Sequence, residues 1–338
     1  MNDLLRALPE AQQRLLGVAP AAHESASDPM RAVLTDRREF GPGWLFERKL
    51  DGMRALATRD TDRVRLLSRT GRAVQASYPE IAEALAAQQS DGFTVDGEVV
   101  AFAHGRTDFS RLQQRMQLTD PRRARASGVA VTYYVFDLLR LDGIDLTRLP
   151  LRTRKSLLRR ALDFHPPVRF TPHRNQGGQQ QLDEACTRGW EGLIAKRAES
   201  RYQRRRSPDW LKLKCANGQE LVIGGFTEPA TARTGFGALL LGYYDNGGFT
   251  YAGKVGTGFD HTTLARIRDG LDALETAASP FSTPVPNQGV HWVEPVLVAE
   301  IGFTEWTRDG MLRHPRFLGL RQDKEATDVV RERPHRTL

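Results

Sequence analysis

Apolar and polar positions alternate over several short runs of this chain. "WLFERKL" (44–50), "VRLLS" (64–68), "FTVDGEVVAF" (93–102) and "VTYYVFDLL" (131–139) are apolar or period-two stretches bounded by Gly, Asp or Pro, which predicts strands. Between them, "YPEIAEALAAQQ" and "DLTRLPLRTRKSLLRRAL" carry apolar residues at helical spacing. "QLDEACTRGWEGLIAKRA" predicts a helix, a corner at Gly189 and then a strand. Strands and helices mixed without a regular βαβ rhythm predict an α+β fold with mostly antiparallel sheets. Beyond Gly218 the runs shorten and glycine turns multiply, with "DNGG" marking a hairpin and "HTTLARIRDGLDALE" a helix. That texture predicts a small barrel of the oligonucleotide-binding (OB-fold) type. The expected organisation is a lead-in over 1–28, a first domain over 29–217 and an OB-fold domain over 218–338.

Length and composition narrow the class. A chain of 338 residues has room for two domains, each with its own core. No run approaches the roughly 18 apolar residues of a membrane span, and "MNDLLRALPEAQQRLLG" lacks the basic start and apolar stretch of a signal peptide. A cytoplasmic, nucleoid-associated protein without a membrane partner is expected. Cys186 and Cys215 form no C-x-x-C pair, so neither a disulfide nor a zinc site is expected from them.

The charge balance carries a finer signal. A net charge of +8 suits a partner bearing phosphates. Of 49 basic residues only seven are lysines: Lys49, Lys155, Lys196, Lys212, Lys214, Lys254 and Lys324. Where a guanidinium serves, this sequence writes Arg. A lysine amine can lose its proton and become a nucleophile, which a guanidinium does not do. Five of the seven fall in compact motifs.

Side-chain alternation places Glu47, Lys49 and Asp51 on one face of the first strand, with Asp51-Gly52 allowing a turn that returns Arg54 toward them. The plain alternative is a solvated charge stripe on an edge strand. "EGLIAK" brings Glu191 and Lys196, and "WLKLK" sets Lys212 and Lys214 on one strand face, where two like charges invite an anion such as a triphosphate. Glu98 and Glu191 offer hard oxygen ligands for a divalent metal, although an ordinary ion pair would use the same carboxylates. Phe136 in "YYVFDLL" either packs in a core or stacks on a base.

Together these stretches resemble the covalent nucleotidyltransferases, and among them the ATP-dependent DNA ligases. "KLDGMR" at 49–54 is similar to the family's nucleophile motif. "SRTG" (68–71), "DGE" (96–98), "YVFDLL" (134–139), "EGLIAK" (191–196), "KLK" (212–214) and "RQDK" (321–324) follow in the family's order. The resemblance covers about residues 29–330. "GFGALLLGYYDNGGFTYAGKVGTGF" and "RHPRFLGLRQDK" further resemble the ligase module of bacterial end-joining ligases, which often carry additional catalytic modules absent from this sequence.

The resemblance implies a reaction. Lys49, with its pKa lowered by Mg²⁺ (or Mn²⁺) and by Lys212 and Lys214, would attack the α-phosphate of ATP and carry AMP. Asp51 belongs to the same nucleophile motif. Arg321, Asp323 and Lys324 would align the leaving pyrophosphate, and Arg54 and Arg69 would grip phosphates. Glu47, Phe136 and Lys196 would line the nucleotide pocket, and Glu98 and Glu191 would meet ribose or metal. The implied substrate is nicked or broken duplex DNA, with a Ku-like end-binding protein as partner and a monomer as the working form. RNA ligases, mRNA-capping guanylyltransferases and a silent DNA-end-binding module are the rival readings.

Overall fold

The computed structural model describes residues 2–19, 28–90, 92–229, 235–285 and 289–333. Positions 20–27 of the lead-in therefore lie outside the described residues. Two compact units are present: one runs to Cys215, and the other covers Ala216–Arg333.

Two sheets build the first unit. In the larger, the strands Gly17–Val18, Ile144–Asp145, Val131–Leu141, Gly92–Ala103, Met53–Asp60 and Arg63–Ser68 lie in that order, with Val168–Phe170 added in parallel to Val131–Leu141. The smaller has the order Arg31–Leu34, Arg206–Lys214, Gly192–Arg197 and Trp44–Lys49, so Trp44–Lys49 is an edge strand. Its only parallel pair is Arg31–Leu34 with Arg206–Lys214; otherwise its ladders are antiparallel.

Period-two patterning decides which face of each sheet is buried and how. Met53, Ala55 and Ala57 join Val95, Val99, Ala101, Tyr133 and Val135 on the outer face of the large sheet. There they pack with apolar residues of the helices Pro79–Ala86, Phe109–Met116 and Leu151–Ala161. Trp44, Phe46, Leu193, Ala195, Leu211 and Leu213 form a second core on the outer face of the small sheet, against Leu182 and Ala185 of the helix Gln179–Thr187. The opposite faces of the two sheets meet over Leu56, Leu139, Tyr202 and Trp210. The charged motif residues share those inner faces.

A fully buried ion pair fixes the helix to the large sheet. Arg154 Nε and Nη2 donate to both oxygens of Asp137 at 2.8 Å, and its Nη1 donates to the carbonyls of Leu149 at 2.5 Å and Ser200 at 3.0 Å. With its donors paired, the buried guanidinium is satisfied rather than stranded. It locks the Asp137 strand against the helix that presents Lys155.

The start of the lead-in docks on the first unit: Leu5 is fully buried in the first core, and Gly17–Val18 pairs with Ile144–Asp145. Burying one such leucine contributes about 1.5–3 kcal/mol. One expectation gives way here: Cys186 and Cys215 form a disulfide, with their Cα atoms 5.3 Å apart. The end of the helix Gln179–Thr187 and the end of the strand Arg206–Lys214 meet at one corner, which no spacing in sequence reveals.

The second unit is built on Gly218–Thr227. One edge of this strand pairs with Leu239–Asp245, and the other pairs first with Val298–Gly302 and then with Val290–Val293. Gly248–Val255 and Arg316–Arg321 extend the two ends, and the Phe317 N–H donates to Thr257 O at 2.9 Å between them. The curled sheet wraps one core with Leu264, Ile267 and Leu271 of the helix His261–Asp272, an OB-type arrangement. Its "DNGG" hairpin has Asn246 and Gly247 at φ +49° and +82°, the left-handed pair that a tight two-residue turn requires.

Candidate nucleotide site

The inner face of the small sheet presents Glu47 and Lys49 from one strand, Lys196 from the next, and Trp210, Lys212 and Lys214 from the third. The facing strands of the large sheet present Arg54, Asp96, Glu98 and Phe136. Motifs more than a hundred residues apart are thereby brought into one cleft.

Gly192 is the registration point. It stands opposite Lys49 on one side and opposite Lys214 on the other. Its φ is +147°, and a Cβ there would stand 1.9 Å from Leu213 O, so only glycine lets the three strands close. Glu191, immediately before it, forms an ion pair with the Lys49 ammonium. Burial alone would lower the Lys49 pKa, and Lys214 pulls the same way, yet Glu191 and Asp51 outweigh both and hold it above its ordinary value. Lys214 therefore lowers it as expected, but in the free protein that pull is outweighed. The Glu191 carboxylate is the stronger neighbour.

Glu47 does not serve Lys49. Its carboxylate lies buried between Lys155 Nζ at 2.5 Å and Lys196 Nζ at 2.6 Å. Burial would raise its pKa, but the two ammonium groups prevail and keep it below the usual carboxylate value. Lys155 also donates to Thr171 O at 3.1 Å. Lys196 Nζ sits 4.1 Å from the ring centroids of both Phe136 and Trp210, and burial lowers its pKa. The two rings meet edge to face at 6.0 Å.

Arg54 lies on the other sheet from Lys49, across the Asp51-Gly52 turn. Its Nε and Nη2 grip Asp96 at 2.8 and 2.5 Å, and the Tyr202 hydroxyl donates to the same carboxylate at 2.7 Å. Against the burial that would lower it, Asp96 holds the Arg54 guanidinium firmly charged. Glu98 stands beside Arg54 in the strand ladder and opposite Tyr134. Arg69 is half-buried in the turn closing Arg63–Ser68.

Three expected residues belong to the second unit and form ion pairs within it. Arg321 grips Asp323 at 3.0 and 2.9 Å, and Lys324 meets Glu220 at 2.6 Å. Sequence reasoning missed Asp96, Lys155, Tyr202 and Trp210 as members of the site. Asp96 and Trp210 each lie two positions before an expected residue and so share its strand face. Lys155 was visible as one of the seven scarce lysines.

Comparison with known proteins accords with this geometry. The family model for the ATP dependent DNA ligase domain matches residues 27–214, and that for the ATP dependent DNA ligase C terminal region matches 232–324. The chain is 38% identical over 315 residues to the multifunctional non-homologous end joining protein LigD of Pseudomonas aeruginosa, covering 90% of this chain and 36% of that protein. It is 41% identical over 298 residues to the multifunctional non-homologous end joining DNA repair protein LigD of Mycobacterium tuberculosis, covering 86% and 37%. The chain thus spans little more than a third of the length of these relatives. A solved structure of mycobacterial DNA ligase D complexed with ATP and MES superposes with a TM-score of 0.64 at 37% identity, covering 91% of this chain and 99% of that one.

Proposed function

This chain belongs to the ATP-dependent DNA ligase family, and from that premise we propose that it seals 5′-phosphate/3′-hydroxyl breaks in duplex DNA through a lysyl-AMP intermediate on Lys49. The observation that carries the proposal is the cleft itself, where a scarce lysine paired with Glu191 shares one sheet face with Lys212, Lys214 and Trp210, and the Trp210 ring meets Phe136 of the facing sheet. Lys49 Nζ attacks the α-phosphate of ATP, a phosphoramidate P–N bond forms, and pyrophosphate leaves with the broken P–O bond. The amine must first shed a proton, so the Glu191 carboxylate that holds it charged has to be drawn away, leaving Lys214 to favour the neutral form. Phe136 offers the base a face, while Glu47, fixed by Lys155 and Lys196, offers a rigid acceptor at the pocket floor. Lys212, Lys214, Arg54 and Arg69 supply phosphate contacts. Arg321, Asp323 and Lys324 of the second unit align the leaving pyrophosphate. AMP then passes to the 5′-phosphate of the break, and the 3′-hydroxyl displaces it to form the new phosphodiester.

Among the described residues no group of three or more His, Cys, Asp or Glu side chains is arranged to hold a metal ion by itself. Two carboxylates with nucleotide phosphates are the usual holders of Mg²⁺, and Glu98 and Glu191 fit that pattern. Such an ion, Mg²⁺ or Mn²⁺, would supply neutralising charge for the phosphates. End joining belongs to the same proposal, supported by the names of the LigD relatives; a Ku-like partner, a monomeric working form and a cytoplasmic, nucleoid-associated location are proposed with it. Protein incubated with α-³²P-labelled ATP and Mg²⁺, beside Lys49→Arg, tests it. Label that survives denaturation and is stable to alkali but lost in hot acid, as a P–N bond requires, is expected on the parent alone; equal label on both removes Lys49 as nucleophile.

A further inference from the structure

Arg48 is the residue that the nucleotide chemistry leaves over. Strand alternation puts its Cα on the face of Trp44–Lys49 opposite Glu47 and Lys49, away from the nucleotide cleft. Its Nε and Nη2 are buried and have no hydrogen-bond partner. The guanidinium rests 4.8 Å from the Trp190 ring centroid and 5.9 Å from that of Phe102. The buried cations described above each have a carboxylate; half-buried Arg48 has rings and, electrostatically, only Tyr134. Burial accordingly pulls its pKa down.

Two more arginines converge on the same point. Arg188 lies 5.4 Å from the Trp190 ring on the exposed surface. Arg106 reaches in from the large sheet and packs on Gly189 so closely that a Cβ there would stand 2.5 Å from its Cζ. Among the described residues neither forms an ion pair with an acid. Two guanidinium groups thus lie on the Trp190 ring and a third on the adjacent Gly189, and Trp190 directly precedes the Glu191 that holds Lys49. Buried guanidinium N–H groups without an acceptor are a standing electrostatic cost that a bound anion would remove. Guanidinium is also the cation whose planar fork suits a phosphate.

We propose that Arg48, Arg106 and Arg188, arranged around Trp190, form a phosphate clamp for the backbone of duplex DNA beside the break, with Arg48 as its central contact. This deepens the ligase reading and rests on it. The clamp lies off the nucleotide face, which favours a DNA phosphodiester over the triphosphate of ATP as the anion. It brings the broken strand's backbone next to the loop that positions Glu191 and Lys49.

The test measures equilibrium binding of a fluorescent nicked duplex across a salt series, with Arg48→Met, Arg48→Lys and Arg188→Gln beside the parent. AMP transfer to Lys49 and the thermal midpoint are recorded on the same proteins. Arg48→Met is expected to bind roughly tenfold more weakly, a loss typical of one charged hydrogen-bonded contact. Its plot of log K against log salt should flatten by about 0.9, as for one lost phosphate contact. Arg48→Lys should keep most of the slope and lose part of the affinity. The midpoint of Arg48→Met should hold or rise, because an unpaired buried charge has been replaced by an apolar chain of similar length. Unchanged DNA affinity and slope would overturn the clamp, as would a raised KM for ATP with DNA binding intact, which would assign the anion to the nucleotide. A fallen midpoint with unchanged DNA binding would make Arg48 structural. If the parent took up no AMP while Arg48→Met lost DNA binding as described, the clamp would stand and the lysyl-AMP reading would fall.

Discussion

Lys155→Met tests how the proposed nucleotide pocket is held. Lys155 Nζ donates to Glu47 Oε1 at 2.5 Å, Thr171 O at 3.1 Å and Phe136 O at 3.4 Å, and the two side chains are 1% and 3% exposed. Methionine preserves the volume and removes all three donations. Glu47 is left with Lys196 alone in a dry site, and breaking a buried pair in this way costs about 3–5 kcal/mol. For a unit of this size each kcal/mol moves the midpoint by about 2–4 °C, so melting of the first unit should fall by roughly 10 °C. The pH dependence follows from the sign of the shift. Glu47 is held below its ordinary value of 4.5, so its stabilisation is complete above that pH and is lost as pH falls through the lower folded value. Without Lys155 the upward pull of burial gains weight, so the acid loss should begin at higher pH than in the parent. Urea unfolding followed by circular dichroism from pH 7 to pH 3.5 reads both effects. Glu47→Gln/Lys155→Met should recover about 1–3 kcal/mol relative to the sum of the single changes, because the two groups are in contact. A loss under about 1 kcal/mol for Lys155→Met, or strict additivity in the double variant, would refute the buried triad as the support of the pocket.

Phe136→Ala removes the ring that faces Lys196 and Arg54; a base–aromatic stack is worth about 1–3 kcal/mol, so KM for ATP in the labelling reaction should rise roughly tenfold. An unchanged KM would return Phe136 to core packing alone. Gly192→Ala drives a Cβ against Leu213 O and pushes apart the strands carrying Lys49 and Lys214; the initial rate of AMP uptake should fall at least tenfold while the protein still melts cooperatively. A rate within twofold of the parent would show that the register tolerates the methyl group.

Strand alternation was enough to place most of the cleft. Glu47 and Lys49, Lys212 and Lys214, and Phe136 all face inward as the period-two pattern requires, because the outer side of each sheet carries a large apolar core and the inner side only a small one. Pairing was less legible. Glu47, Lys49 and Asp51 read as one local constellation, but Glu47 turned out to bind Lys155, a helix residue 108 positions away. Lys49 likewise found Glu191, 142 positions away, and Arg54 found Asp96. Each partner comes from a different element, and the tertiary fold selects it. The disulfide belongs to the same class, since it depends on a helix end and a strand end meeting at one corner.

The scarcity of lysine takes on a wider sense in this light. Where one cation meets one carboxylate in two parallel bonds, the chain uses arginine: Arg54 with Asp96, Arg154 with Asp137, Arg321 with Asp323. Those are planar fork-to-fork contacts, and lysine cannot make them. Lys155 and Lys196 do something else, since both converge on the single carboxylate of Glu47, and Lys196 is also wedged 4.1 Å from two rings. Two guanidinium planes would have to share space that two compact ammonium groups fill, so lysine here is a steric choice. At Lys49 the proposed reaction makes the choice chemical, because the attacking amine would have to shed a proton that a guanidinium keeps. The same scarcity therefore has two causes, and substitution by arginine separates them. Lys196→Arg should lower the stability of the first unit as well as AMP uptake, whereas Lys49→Arg, at a partly exposed strand end, should abolish uptake with the thermal midpoint nearly unmoved. Equal stability losses in the two variants would mean that packing alone dictates lysine at both positions.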